Sequence, residues 1–214
     1  MAAGWRDPVE FYATHAARFD AVRSRALEER GWLGAFAAFL PPGGAVLDLG
    51  CGMGAPVGAW LIGQDFRLTG VDAVPALLER ARVRLPAGEW IEGDMRHLDL
   101  RRRFDGILLW DSLFHLDVAA QRACFATIAT HAARRCALLF NSGTQEGESA
   151  HPMFGEPLFH ASLSARAYRA CLAAHGFQVV RRVEADPACG ERTIWLALKD
   201  EDHSRAASRR APEE

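Results

Sequence analysis

Residues 46–54 read Val-Leu-Asp-Leu-Gly-Cys-Gly-Met-Gly, and the fold turns on how this stretch is read. Val46, Leu47 and Leu49 form a short apolar run with the character of a strand buried on both faces, as in a parallel sheet. Glycines follow at alternate positions, Gly50, Gly52 and Gly54. They let the backbone turn with positive φ and let a ligand approach main-chain atoms that a Cβ would shield. Val57 to Ile62 is apolar with helical potential, so the order is strand, glycine turn, helix. That order opens a nucleotide-type binding unit.

Two patterns fit the turn. The dinucleotide fingerprint G-x-G-x-x-G/A can be laid on Gly50, Gly52 and Ala55, with Asp72 about 20 residues further on. The alternative is D-x-G-x-G-x-G, matched by Asp48, Gly50, Gly52 and Gly54. Asp48 favours the second. A carboxylate at a strand end suits a ligand with a positive amino-acid head and is unhelpful beside a pyrophosphate. On these residues the chain resembles the class I S-adenosylmethionine-dependent methyltransferases of small-molecule type, over roughly residues 8–199.

The resemblance assigns further residues. Phe66-Arg-Leu-Thr-Gly-Val-Asp72 reads as a second strand whose acid would hold both ribose hydroxyls, with Ala73 beside it. Trp90-Ile-Glu-Gly-Asp-Met95 reads as a third, where Asp94 would accept from the adenine amine and Met95 face the ring. Phe104-Asp-Gly-Ile-Leu-Leu-Trp110 reads as a fourth, closed by Asp111 and Ser112. Each acid could instead be a cap for the following helix. Cys51 is expected to supply a small side chain beside the cofactor, not a nucleophile. In the first helix Tyr12 and, beyond it, Arg23 would cover the methionine end; packing on the sheet edge is the alternative for Tyr12.

The alternation along the chain is that of βαβ crossovers. Strands are expected at 45–50, 66–72, 88–92, 104–110 and 135–141. Helices are expected at 8–21, 24–39, 55–64, 74–85, 117–132 and 164–175. Strands at 177–183 and 193–198, joined by Ala185-Asp-Pro-Ala-Cys-Gly190, must be antiparallel neighbours. The expected fold is α/β: one Rossmann-like three-layer domain over 1–199, with a helical arm at 1–44 and a core at 45–199. Its sheet is seven-stranded and mostly parallel, with an antiparallel C-terminal hairpin strand. Residues 200–214 read as a disordered tail.

Residues 142–161 carry no regular pattern and read as a loop walling the acceptor site, with Glu146, Glu148, His151, Phe154 and Phe159 as substrate contacts. His115 and His160 are candidate general bases, and the alternative for His115 is a helix-start histidine with a satisfied hydrogen bond.

Composition narrows the partners. The chain has 214 residues, 24% charged and 50% hydrophobic, with a formal net charge of −2. That is one domain's worth of core, with no global basic field for nucleic acid. Lys199 is the only lysine among 25 basic residues and lies near a polar terminus, which argues against Schiff-base chemistry. A Tyr-x-x-x-Lys oxidoreductase pair cannot be formed either. The five cysteines are scattered without metal spacing, so no metal is expected. No apolar stretch reaches membrane-spanning length. The expectation is a cytoplasmic monomer or weak homodimer that uses S-adenosylmethionine and a small-molecule acceptor. The competing readings are a non-catalytic S-adenosylmethionine-binding module and an NAD(P)-dependent short-chain oxidoreductase, the latter without its Tyr-x-x-x-Lys pair.

Overall fold

A computed structural model describes residues 4–199. β1 (Ala45–Leu49), β2 (Arg67–Asp72), β3 (Glu89–Glu92), β4 (Phe104–Leu109), β5 (Ala132–Ser142), β8 (Phe177–Asp186) and β9 (Arg192–Lys199) form one sheet. The strand order is β3-β2-β1-β4-β5-β9-β8. β1 pairs parallel with both β2 and β4, while β9 enters antiparallel between β5 and β8. The direction of winding reverses between β1 and β4, and a crevice opens beyond the strand ends there.

Alternation along each strand splits the core into two layers. Leu47 and Leu49 of β1, Ile107 and Leu109 of β4, and Leu138 and Phe140 of β5 face α5 (Val118–His131) and α6 (Ala165–Ala174). Val46, Leu108, Ala137 and Leu139 face α2 (Arg30–Ala37), α3 (Val57–Gly63) and α4 (Pro75–Arg84). Side chains buried this fully contribute about 1.5–3 kcal/mol each. α1 (Pro8–Val22) starts at an Asp7 cap, whose carboxylate accepts from Glu10 N, and lies across the strand ends.

Two expectations need correction. The second helix is confined to Arg30–Ala37 instead of spanning 24–39: Arg23 turns out of the helical region at φ −58° and ψ 120°, and the chain does not resume a helix until Arg30. Residues 142–161 are also not irregular. β6 (Gly147–Met153) and β7 (Glu156–Ser162) form a separate antiparallel ribbon, turned at Phe154-Gly155 with φ of 55° and 90°. Positive φ at both central residues is the tight hairpin geometry. Pro152 and Pro157 hide the signal, since proline within a run argues against a strand; here they sit opposite one another in a two-stranded ribbon that tolerates them. The expected tail at 200–214 lies outside the described residues.

The ribbon is clasped to the arm. Arg6 N donates to Pro157 O at 2.8 Å and Phe159 N donates to Arg6 O at 3.2 Å. Glu156 takes both Arg6, at 2.8 Å, and His15, at 2.7 Å. Phe154 stacks on Phe11, with Arg18 4.2 Å over its ring. Buried Gln121 anchors the other end by donating to Leu116 O and Ala161 O while accepting from Tyr168.

Candidate active site

The crevice is a cleft of about 850 Å³, bounded by the strand ends, α1 and the β6–β7 ribbon. The glycine loop forms its floor. Gly50, Gly52 and Gly54 have φ of 76°, 55° and 74°. A Cβ on Gly50 would lie 2.3 Å from Ser112 Cβ, and Ser112 cannot yield because its hydroxyl donates to Leu49 O at 2.7 Å. A Cβ on Gly52 would meet no protein atom within 4 Å. Gly50 is therefore needed for packing, whereas Gly52 keeps open the space above the loop. Gly52→Ala is expected to fold with a loss of about 1–2 kcal/mol from its left-handed backbone yet bind S-adenosylhomocysteine more weakly. Gly50→Ala should lose substantially more stability. Thermal melts and calorimetry on the two variants check this order; equal melts would overturn it.

Asp48 is 3% exposed, lines the cleft, and makes no side-chain hydrogen bond among the described residues. Burial, helped by Asp72, pushes its carboxyl up to about 7. A buried carboxyl with no protein partner is what a bound cation would satisfy.

Asp72 is engaged. Its carboxylate accepts from Gly52 N at 2.7 Å and Val74 N at 2.9 Å, tying the glycine loop to the end of β2. Burial raises its pKa, against the opposing effect of these N–H groups. Its remaining lone pairs are still available to a ligand. Cys51 also faces the cleft, and burial followed by Asp48 holds its thiol well above the usual range, so it is not an activated nucleophile. Asp94 lines the cleft but is chelated by Arg96, whose Nε lies 2.8 Å from Oδ2 and whose pairing lowers the carboxyl pKa. Met95 and Ala73 complete this wall.

Asp111 is the hub of the opposite wall. It accepts from Arg192 at 2.8 and 3.0 Å and from Arg23 at 3.1 Å. It also exchanges two hydrogen bonds with Asn141, at 2.7 and 2.9 Å. Burial works against its charge, but Arg192 and Arg23 outweigh burial and hold the carboxyl below its usual range. These contacts fix Asp111 at φ 51°, an unfavourable conformation for a residue with a Cβ. Sequence reading missed Arg192 and Asn141. Arg192 follows two positive-φ residues, Gly190 and Glu191, in a segment that reads only as a hairpin connection.

Tyr12, His115 and His160 meet under the ribbon. His115 Nδ1 lies 3.3 Å from Phe159 O, and Nε2 lies 3.2 Å from the Tyr12 hydroxyl. With Nδ1–H donating to the carbonyl, Nε2 must accept from Tyr12, which leaves His115 no nitrogen for an acceptor's proton. The expected base role of His115 is corrected on that ground. Burial lowers His115 to about 4 and, more than its histidine neighbours do, lowers His160 to about 3. Burial also raises the Tyr12 pKa, so its hydroxyl stays protonated. The His160 ring lies 4.5 Å from that of Phe114 and 4.9 Å from those of His115 and His151.

Glu146, Glu148 and His151 line the cleft as expected. Phe154 and Phe159 do not. Phe154 packs on α1, and Phe159 is 1% exposed against Trp5, because β7 alternation turns it away while turning His160 toward the cleft.

Comparison with known proteins agrees with this geometry. Residues 46–134 match a family model described as a methyltransferase domain. A trans-aconitate 2-methyltransferase from Enterobacter sp. (strain 638) is 48% identical over 52 residues, which is 24% of this chain but only 21% of that protein. An amino pentose methyltransferase from Micromonospora echinaspora with bound S-adenosylmethionine superposes with a TM-score of 0.68 at 22% identity, over 87% of this chain and 96% of that one. A magnesium protoporphyrin IX methyltransferase from Synechocystis PCC 6803 with bound S-adenosylhomocysteine gives 0.70 at 17% identity, over 90% and 98%. The chain has the class I methyltransferase fold. Residues 46–134 carry the sequence signature of the methyltransferase domain.

Proposed function

We propose that the protein binds S-adenosylmethionine in this cleft and transfers its methyl group to a small-molecule acceptor. The observation that carries the reading is Asp48, a buried carboxyl without a protein partner beside a positive-φ glycine loop that leaves open space over Gly52. Asp48 would hold the ammonium of the methionine end and Asp72 the ribose. Asp94 and Met95 would flank the adenine. Arg23, Asp111 and Arg192 together carry one net positive charge, suited to the methionine carboxylate, with Tyr12 covering it. When bound, the sulfonium supplies an already activated methyl group. The protein's own work is then to position the acceptor and exclude water, which the ribbon and arm do by roofing the cleft.

The cleft volume fits a nucleoside ligand plus a compact acceptor; ligand sites typically span about 300–1,000 Å³. No described helix is long and apolar enough to cross a membrane. A cytoplasmic, monomeric or weakly dimeric enzyme acting on small molecules and not on nucleic acid is the consistent reading.

Calorimetry with S-adenosylhomocysteine and with NAD tests the cofactor. We expect heat only from the former, with affinity rising as pH approaches 7 and then levelling off. The sign follows from Asp48. Below about 7 it is protonated in the empty cleft, so placing an ammonium beside it expels a proton, and that cost disappears at higher pH. Heat from NAD alone would overturn the reading; a pH-independent affinity would remove Asp48 from it.

A further inference from the structure

The charge of the cleft names the kind of acceptor it can take, an inference that rests on the methyltransferase reading above. Three arginines line the cleft, and none is left for an acceptor, because the one net positive charge of the Arg23, Asp111 and Arg192 cluster is taken by the methionine carboxylate in the reading above. Arg96 is committed to Asp94, while Arg23 and Arg192 converge on Asp111. Lysine is absent from the lining. Of the residues that line the cleft, the exposed carboxylates Glu146, Glu148 and Glu191 have no ion-pair partner among the described residues. In the same cleft the rings of Phe114, Tyr12 and His160 gather around His115 and form a box that carries no positive charge at neutral pH. His160 turns into the cleft, and its ring nitrogens make no hydrogen bond to the described protein.

A carboxylate acceptor would meet three like charges and no free cation there. An ammonium would be attracted by the rim, whose field the low-dielectric walls concentrate, and would then meet ring faces that favour cations. We propose that the methyl acceptor is a primary or secondary amine, gathered as an ammonium by the Glu146, Glu148 and Glu191 rim and methylated on nitrogen in the His160 box.

The step balances without a strong base. As the ammonium leaves the acidic rim for the low-dielectric box, desolvation disfavours its charged form and it gives a proton to solvent, which frees the nitrogen lone pair. The ring faces then favour the positive charge that returns to nitrogen as the methyl group arrives. An N–H of the neutral amine donates to His160, which is too weakly basic to take the proton and so acts as a positioning acceptor. The lone pair forms the N–CH3 bond as the CH3–S bond breaks, and the bonding electrons stay on sulfur. The sulfonium becomes a neutral thioether, and the product carries the positive charge away as a methylated ammonium.

The test uses full-length protein and a panel of primary and secondary amines (amino sugars, diamines, benzylamines), each matched with the carboxylic acid of the same skeleton. Binding to the S-adenosylhomocysteine complex is read by calorimetry, and transfer by methyl-labelled S-adenosylmethionine. We expect amines to bind about tenfold or more tighter than their matched acids. Label should be retained on a cation exchanger and be stable to alkali, unlike a methyl ester. Glu146→Gln combined with Glu148→Gln should raise the amine KM several-fold with kcat kept, an effect that added salt also produces in the parent protein. Label on carboxylates, or none on any amine while S-adenosylhomocysteine still binds, overturns the amine assignment alone. Failure of S-adenosylhomocysteine to bind removes the cofactor reading with it.

Discussion

Asp72→Ala should weaken S-adenosylhomocysteine binding by about 10- to 150-fold, the equivalent of losing a hydrogen bond to a charged group worth roughly 1.5–3 kcal/mol. The effect has two sources. One is the proposed ribose contact. The other is the glycine loop, because the same carboxylate accepts from Gly52 N and Val74 N. Removing it leaves both N–H groups without that acceptor, at about 1–3 kcal/mol for each one that stays buried. Relief from a buried charge, already visible as the raised pKa, offsets part of this. The variant should therefore melt lower as well as bind weakly. Asp72→Asn should not rescue it, since a carboxamide presents one oxygen where the two N–H groups need two. Calorimetry with thermal melts decides the matter. An unchanged dissociation constant in a folded variant would leave Asp72 as a loop tether alone.

The largest loss of stability is expected from Asp111→Ala. Asp111 pairs with both Arg23 and Arg192, with side-chain exposures of 19%, 24% and 26%. Breaking a mostly buried pair from one side leaves an uncompensated charge and costs about 3 kcal/mol, or roughly 6–12 °C in Tm for a chain of this size. The double variant Asp111→Ala with Arg192→Ala should recover part of the loss, because the stranded guanidinium is removed too. The pH dependence has a definite sign. The folded carboxyl lies below its usual range, so its contribution is complete above the unfolded pKa of about 4 and is lost as pH falls through the folded value. Denaturant midpoints of parent and variant should therefore converge in acid. A gap that stays constant from neutral pH to below the carboxylate range would mean that the Asp111 charge does not carry the stability.

Much of this architecture was legible in the chain because its signals are local. Val46 to Gly54 announces a buried strand and a turn through left-handed backbone, and three such glycines leave few alternatives. The Pro/Gly connection between the last two strands forces them to be antiparallel neighbours, and β9 does lie between β5 and β8. Asp48 is the penultimate residue of its strand, Asp72 the last of its own, and Asp94 lies just beyond β3, so a parallel sheet delivers all three to one edge by its construction.

What the chain did not show depends on contacts distant in sequence. The ribbon at 147–162 was obscured by its two prolines and is held by Arg6, Phe11 and His15, more than 130 residues away. Its register decides that His160 faces the cleft while Phe159 and Phe154 do not, which spacing cannot supply without knowing which face the arm covers. Asp111 shows no local sign of being a hub, because Arg23 and Arg192 approach it from opposite ends of the chain. The histidines look like bases by residue type. Burial and the Tyr12 hydroxyl make them neutral acceptors instead, since a pKa is set by the surroundings of a group and not by its identity. The sequence by itself determined the sheet, the glycine loop and the edge to which the acids come. Only the tertiary structure decided which of those acids are free, which are already paired, and so what charge the cleft presents to an acceptor.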